Sequence, residues 1–198
     1  MKKKINFFLI LLLTAGIWWN LFNIKNIILE WKDIPNLVKN NLSLIFSLDN
    51  QAKLYEVRWN AFGMKKENIL SKIFYNKGYI LVDNLFSFLS YTSPRMYFQA
   101  GDGTRFSPPN VEPLAGILFP FWVIGIIFLI KKNKFKPIVL TLLFSFLAFL
   151  IGIRTFAFLL PILIIYTFIA SEVLNKKYLI FIVSYLIFII GRVIWLKS

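Results

Sequence analysis

Residues 178–195 read YLIFIVSYLIFIIGRVIW, an apolar run whose one charge, Arg192, sits near its far end. A bilayer's hydrocarbon core of roughly 30 Å takes about 20 apolar residues wound as a helix. The run has that length and composition, and it lacks the strict alternation of a half-buried strand. It predicts a transmembrane helix, with Arg192 close enough to the end to snorkel to the headgroups.

Four further runs share the pattern, at residues 5–24, 114–130, 137–153 and 155–170. Each is short of, or close to, the needed length, and flanking side chains can make up the difference. Residues 153 and 155 are parted only by Arg154, which predicts a tight helical hairpin. The first run follows Lys2, Lys3 and Lys4 and carries Trp18 and Trp19 at its far end, where amphipathic rings sit at headgroup level. Thr14-Ala15-Gly16 supplies small residues of the kind cut in signal peptides, but the apolar run continues past them, so the segment reads as a signal anchor. Composition agrees: 58% of the chain is hydrophobic, 18% aromatic, and the mean hydropathy is +0.68, against a soluble domain's roughly half-apolar usage. The expected fold is all-α and polytopic. An anchor helix at 1–24 precedes a helical extracytoplasmic loop domain at 25–113, and a four-helix transmembrane region follows at 114–198.

Charge orients the chain. Basic residues in short connections stay on the cytoplasmic side, whereas long loops cross largely regardless of charge. With the N-terminus inside, the cytoplasmic face receives Lys2, Lys3, Lys4, Lys131, Lys132, Lys134, Lys136, Lys176 and Lys177, and the short outer segments only Arg154, Arg192 and Lys197. The loop 25–113 is then outside. It holds 11 Lys or Arg against 8 Asp or Glu, so most of the net charge of +14 lies in the topology-setting lysines. No contiguous basic stripe exists for tracking nucleic acid, and the lysines are expected to face anionic lipid. The chain has no Cys and no His. Disulfides, thiol chemistry, the usual zinc sites and a Ser-His triad are therefore excluded. Neither a metal nor another cofactor is expected, and any proton transfer falls to carboxylates, lysine or tyrosine.

Within the outer segment, residues 27–48 predict two helices broken at Pro35, and 65–75 a short helix ended by a turn at 76–78. Residues 77–91 are amphipathic at helical spacing, with Leu81, Val82, Leu85, Phe86 and Leu89 on one side and Asp83, Asn84, Ser87 and Ser90 on the other. Such a helix suits either the membrane interface or packing on neighbours. Residues 92–113, punctuated by Gly101-Asp102-Gly103 and Pro108-Pro109, read as an ordered loop. Asp-Gly favours a turn with positive φ, which accounts for Asp102 by turn chemistry. The same loop concentrates Arg95, Asp102, Arg105 and Glu112, where two guanidiniums can grip a phosphate headgroup or pair with the acids. Asn41-Leu42-Ser43 is a formal glycosylation sequon, and the run 131–136 a topology determinant.

Residues 84–94 (NLFSFLSYTSP) and 97–107 (YFQAGDGTRFS), with Asn76-Lys77-Gly78 before them, resemble an outer-loop segment of multispanning GT-C glycosyltransferases. These are the protein mannosyltransferase and aminoarabinose transferase type, which use polyprenyl-phosphate sugars. Pro120 in the following span, and Arg154 with Leu159-Leu160-Pro161, are similar to the pattern that follows in that family. The resemblance covers about residues 44–170. It implies a polyprenyl-phosphate sugar as ligand, with Arg95, Arg105 and Arg58 as candidates for holding lipid phosphate and Glu30, Asp33 and Asp102 as candidates for a catalytic base.

The family's acidic pair near the end of its first span, and the many spans after it, have no convincing counterpart here. The chain thus looks like the C-terminal part of such an enzyme, a truncated or split form that binds the lipid-linked sugar or assists a multispanning partner. If it is active, it is a hexosyl or pentosyl transferase. A non-catalytic accessory protein is the competing expectation, and a transport component, hinted at only by Arg192, a third.

Overall fold

The computed structural model describes residues 2–46, 49–63, 68–75 and 77–197. Among them the chain is all-helical. Its helices are α1 (Lys2–Leu12), α2 (Ala15–Phe22), α3 (Ile24–Lys32), α4 (Ile34–Phe46), α5 (Asp49–Phe62), α6 (Ile69–Phe74) and α7 (Lys77–Ser90), then α8 (Phe119–Lys131), α9 (Lys136–Ile151), α10 (Phe156–Ser171) and α11 (Lys176–Lys197). Between α7 and α8 the loop contains one wide turn of π type at Met96–Ala100 and a 3-10 turn at Gly116–Leu118.

Helix α10 is the axis of the fold. It packs against α8, α9, α1, α2 and α3, and Phe156, Ala157, Leu159, Ile162 and Leu163 are fully buried along it. Gly125 permits the closest of these approaches, since a Cβ there would overlap the Ile169 carbonyl. Pro161 lies inside α10. Proline has no N–H to give the carbonyl four residues earlier, so the oxygen of Ala157 loses its helical partner. The indole of Trp31, on α3, donates to that oxygen at 2.8 Å. A polar vacancy made by one residue's chemistry is filled by another 126 positions away in sequence.

Helix ends are closed in the same way. Gly152 ends α9 in the left-handed conformation, φ +78°, and the Asn41 amide donates to Phe149 O (2.7 Å) and Leu150 O (3.1 Å). The sequon asparagine is thus a helix cap. Helix α8 ends on Asn133 (φ +54°), with Lys134 N–H donating to Leu129 O and Asn133 N–H to Ile130 O, the paired bonds of a Schellman end.

The structure refines several boundaries. The run 5–24, expected as one span, is two helices parted at Leu13 and Thr14. Thr14 is extended, the amide of Gly16 donates to Pro113 O (2.8 Å), and the Trp18 indole donates to Leu12 O. These partners substitute for the missing helical bonds. The expected proline break lies at Asp33, and Pro35 is the second residue of α4, where a missing N–H costs nothing. Of the helix expected at 65–75, only Ile69–Phe74 is helical among the described residues; 64–67 and Asn76 lie outside them. The helix expected at 77–91 is α7. Its Phe88 packs edge-on against Phe146 and Phe149, whereas Leu81, Val82, Leu85, Phe86 and Leu89 stay exposed, Leu81 and Phe86 at 69% and 68%.

Among the described residues, one helix is by itself long and apolar enough to cross a membrane, Tyr178–Leu196 of α11. Gly116–Lys131 and α9 qualify jointly as a pair bent by 116°. Helix α10, at 16 residues, is apolar but shorter.

The Trp31–Ala157 bond predicts a double-mutant result. Trp31→Phe removes the donor and should cost about 1–3 kcal/mol, the penalty of a buried carbonyl left unpaired. In a Pro161→Ala background the helix supplies its own N–H, and the same substitution should cost much less. Thermal midpoints in detergent for the four proteins measure this; equal losses in both backgrounds would refute the role given to Trp31.

Candidate functional site

The loop between α7 and α8 is stapled to α2 by backbone carbonyls. Trp19 Nε1 donates to Arg105 O at 2.8 Å, Asn20 Nδ2 to Phe106 O at 3.1 Å, and Asn23 Nδ2 to Arg105 O at 3.4 Å. From below, Tyr166 of α10 donates its hydroxyl to Thr92 O (2.6 Å) and Tyr97 its own to Tyr91 O (2.7 Å). A glycine-rich loop is thereby tied to α2 and α10 by four hydrogen bonds to its backbone carbonyls, with a fifth, from Tyr97, within the loop itself.

Against it lies a cleft of about 340 Å³ lined by Ser93, Arg95, Met96, Gly101, Asp102 and Arg154. Gly101 has φ +66°, and a Cβ there would strike Ser107 Oγ, so only glycine fits. Asp102 begins the turn. Its Oδ1 accepts from the Thr104 amide and hydroxyl, both at 2.8 Å, and its Oδ2 accepts from the Phe156 amide at 2.6 Å. Thr155 makes no side-chain cap at the start of α10, so Asp102 caps that helix from 54 residues away and places its charge at the positive end of the helix dipole.

Two guanidiniums remain at the cleft. Arg154 Nη2 donates to Ser90 O at 3.3 Å, and its guanidinium carbon lies 5.4 Å from the centre of the Tyr91 ring. Burial pushes the Tyr91 phenol above its ordinary value, and Arg154 opposes that. Tyr97 is pushed up further, by burial and then by Tyr166, again with Arg154 opposing. Both phenols are therefore neutral at physiological pH, and Tyr97 donates a hydrogen bond. Arg95 is exposed and, among the described residues, forms no ion pair. It also borders a second cleft of about 320 Å³ with Pro94, Gln99 and Phe119.

The structure separates the other sequence candidates. Arg105 pairs with Glu30 at 3.2 Å, with Arg105 59% exposed, and its guanidinium carbon lies 5.0 Å from the centre of the Phe106 ring. Such a pair is worth about 0–1 kcal/mol and fixes position more than stability. Asp33 is exposed at the end of α3. Arg58 donates through Nε and Nη2 to Tyr75 O (2.9 and 2.6 Å), tying α5 to the end of α6. Only Arg95 and Asp102 of the six candidates reach the cleft. Arg154 was missed as a site residue, although its signal was present: it is the one charge between two apolar runs, set just before the Leu159-Leu160-Pro161 motif.

No family model, no curated protein and no solved structure matches this chain.

The cap assigned to Asp102 has a measurable consequence. Asp102→Ala strips acceptors from the loop turn and from the first amide of α10 at once, and should cost about 1–2 kcal/mol. Asp102→Asn, which can present its oxygen to Thr104 or to Phe156 but not to both, should fall between. Thermal midpoints order the three proteins; an Asp102→Ala protein as stable as the parent would remove the cap from the account.

Proposed function

We propose that this chain is a polytopic, all-helical membrane protein that binds the phosphate of an isoprenoid-linked sugar at the Arg95–Arg154 cleft. In this reading it acts as the C-terminal, binding part of a lipid-linked-sugar transferase, truncated or completed by a separate catalytic partner.

One observation carries the reading. Arg95 and Arg154 share a cleft whose single carboxylate, Asp102, is already engaged by three hydrogen bonds. Guanidinium presents a planar fork matched to phosphate oxygens, and Arg95 has its fork free of any ion pair among the described residues. The isoprenoid and the sugar come from the resemblance in the loop, not from the cleft. Asp102 acts here as a cap, and Glu30 and Asp33 lie away from the cleft, which favours binding over turnover.

The membrane placement draws on the exposed apolar surfaces. Phe181, Ile187, Phe188 and Ile194 of α11, Leu142, Phe146 and Leu147 of α9, and Leu81 and Phe86 of α7 are all exposed. So much uncovered apolar side chain suits lipid, with α7 lying in the interface plane. Helices α8 to α10 fall short of full spanning length; Lys131 and Lys132 at the end of α8, Lys136 at the start of α9 and Arg154 before α10 extend their reach. The bent α8–α9 pair turns at the cytoplasmic face, and the loop 25–113, with the cleft, lies outside. Broken backbone at Leu13 and Thr14 is compatible with membrane depth because the amides of Leu13, Thr14 and Gly16 and the carbonyl of Leu12 find partners within the protein.

Two measurements test this reading. The native chain lacks cysteine, so single cysteines report sidedness cleanly. Pro109→Cys should react with an impermeant maleimide on intact cells and Lys131→Cys only after lysis; the reverse would overturn the topology. Purified parent protein should retain a polyprenyl phosphate in native mass spectrometry, and the Arg95→Gln, Arg154→Gln double variant should lose at least tenfold in affinity. Equal binding by both proteins would rule out the cleft as the phosphate site.

A further inference from the structure

Towards the end of α10, away from the arginine cleft at its start, lies the largest of the cavities described, about 590 Å³. That is within the range of ligand-holding cavities, about 300–1,000 Å³. Its walls are apolar, with Phe7 from α1, Leu140 from α9, and Ile164 and Phe168 from α10. Its mouth is not, because Lys134 and Lys136 line it at the turn between α8 and α9. The Schellman end on Asn133 fixes that turn, with Lys134 N–H bonded to Leu129 O at 2.9 Å. Lys131 and Lys132 stand immediately beside it, and the ammonium of Lys132 lies 4.3 Å from the centre of the Phe128 ring. Two of these four lysines, Lys134 and Lys136, line the cavity itself, and the acid lining it is Glu172.

We infer that this cavity binds one anionic glycerophospholipid from the cytoplasmic leaflet, an acyl chain entering between α8, α9 and α10 and the headgroup phosphate resting on Lys134 and Lys136. The inference rests on the membrane reading above and is independent of the outer cleft. Charge complementarity selects the occupant. An apolar chamber alone would take any acyl chain, whereas a lysine-rich mouth discriminates by headgroup charge and favours an anionic lipid over a neutral one. Ammonium groups act as point charges without guanidinium's fork, so the site reads net charge more than headgroup shape. Glu172 lowers the preference, and Glu172→Gln should raise it.

The test uses the full chain, delipidated in mild detergent and offered phosphatidylglycerol or phosphatidylcholine at equal concentration, with retained lipid counted by native mass spectrometry. Two lysines near the headgroup predict retention of phosphatidylglycerol roughly 30-fold above phosphatidylcholine. Lys134→Gln with Lys136→Gln, both at exposed positions, should bring phosphatidylglycerol down to the phosphatidylcholine level. Leu140→Trp, which fills the chamber, should lower retention of both lipids, and Arg95→Gln with Arg154→Gln should change neither. Equal retention of the two lipids by the parent protein, or no effect of the lysine pair, would overturn the inference while leaving the membrane reading intact. Release of the chain from its host membrane by alkaline carbonate would overturn both.

Discussion

The bond from the Phe156 amide to Asp102 Oδ2, 2.6 Å long, joins the two halves of the molecule. On one side is a glycine-rich loop with only two short turns of regular structure; on the other is the entrance to α10, around which α1, α2, α3, α8 and α9 pack. A helix entering apolar surroundings carries orphan amides that must find acceptors, and here the acceptor also closes the turn at Thr104. Loop conformation and helix start are consequently set together. Because Arg95 lies seven residues before Asp102 and Arg154 two before Phe156, their convergence on one cleft follows from that bond.

The same constraint explains five other long-range polar side chains. Trp31 answers the carbonyl freed by Pro161, Asn41 answers the last carbonyls of α9, and Trp19, Asn20 and Asn23 answer loop carbonyls at Arg105 and Phe106. Each is an amide or indole, able to donate without carrying charge into an apolar interior. Apolar contact brings the helices together without direction, and these directed bonds fix where each one ends.

How much of this was legible in the sequence follows from the range of the forces involved. Helix type and position were readable over residues 77–91, 137–153, 155–170 and 178–195, where hydrophobic pattern is local and strong. The break at Leu13 and Thr14 was not readable, because nothing in residues 5–24 announces that Pro113 will take the amide of Gly16. The positive φ of Gly103 matched the turn chemistry read from Asp102-Gly103. The bond that Asp102 accepts from the Phe156 amide spans 54 residues and leaves no local trace. Arg95 was legible as a phosphate candidate from its loop. Arg105 and Arg58 have the same chemistry but are engaged by Glu30 and by Tyr75 O, which only the fold reveals.

In the proposed topology arginine keeps to one side of the molecule, whereas lysine occurs on both, with eight in the loop 25–113. All five arginines fall outside the cytoplasmic face, which carries lysine alone. Four of the five are already directed: Arg58, Arg154 and Arg192 to backbone carbonyls and Arg105 to Glu30. A guanidinium's planar fork rewards fixed geometry, so arginine suits a loop whose shape is locked. An ammonium attracts by charge from many directions, so lysine suits a face whose partner is a fluid sheet of headgroups. On the proposed reading, the outer cleft would take its phosphate by shape and the inner cavity its lipid by sign.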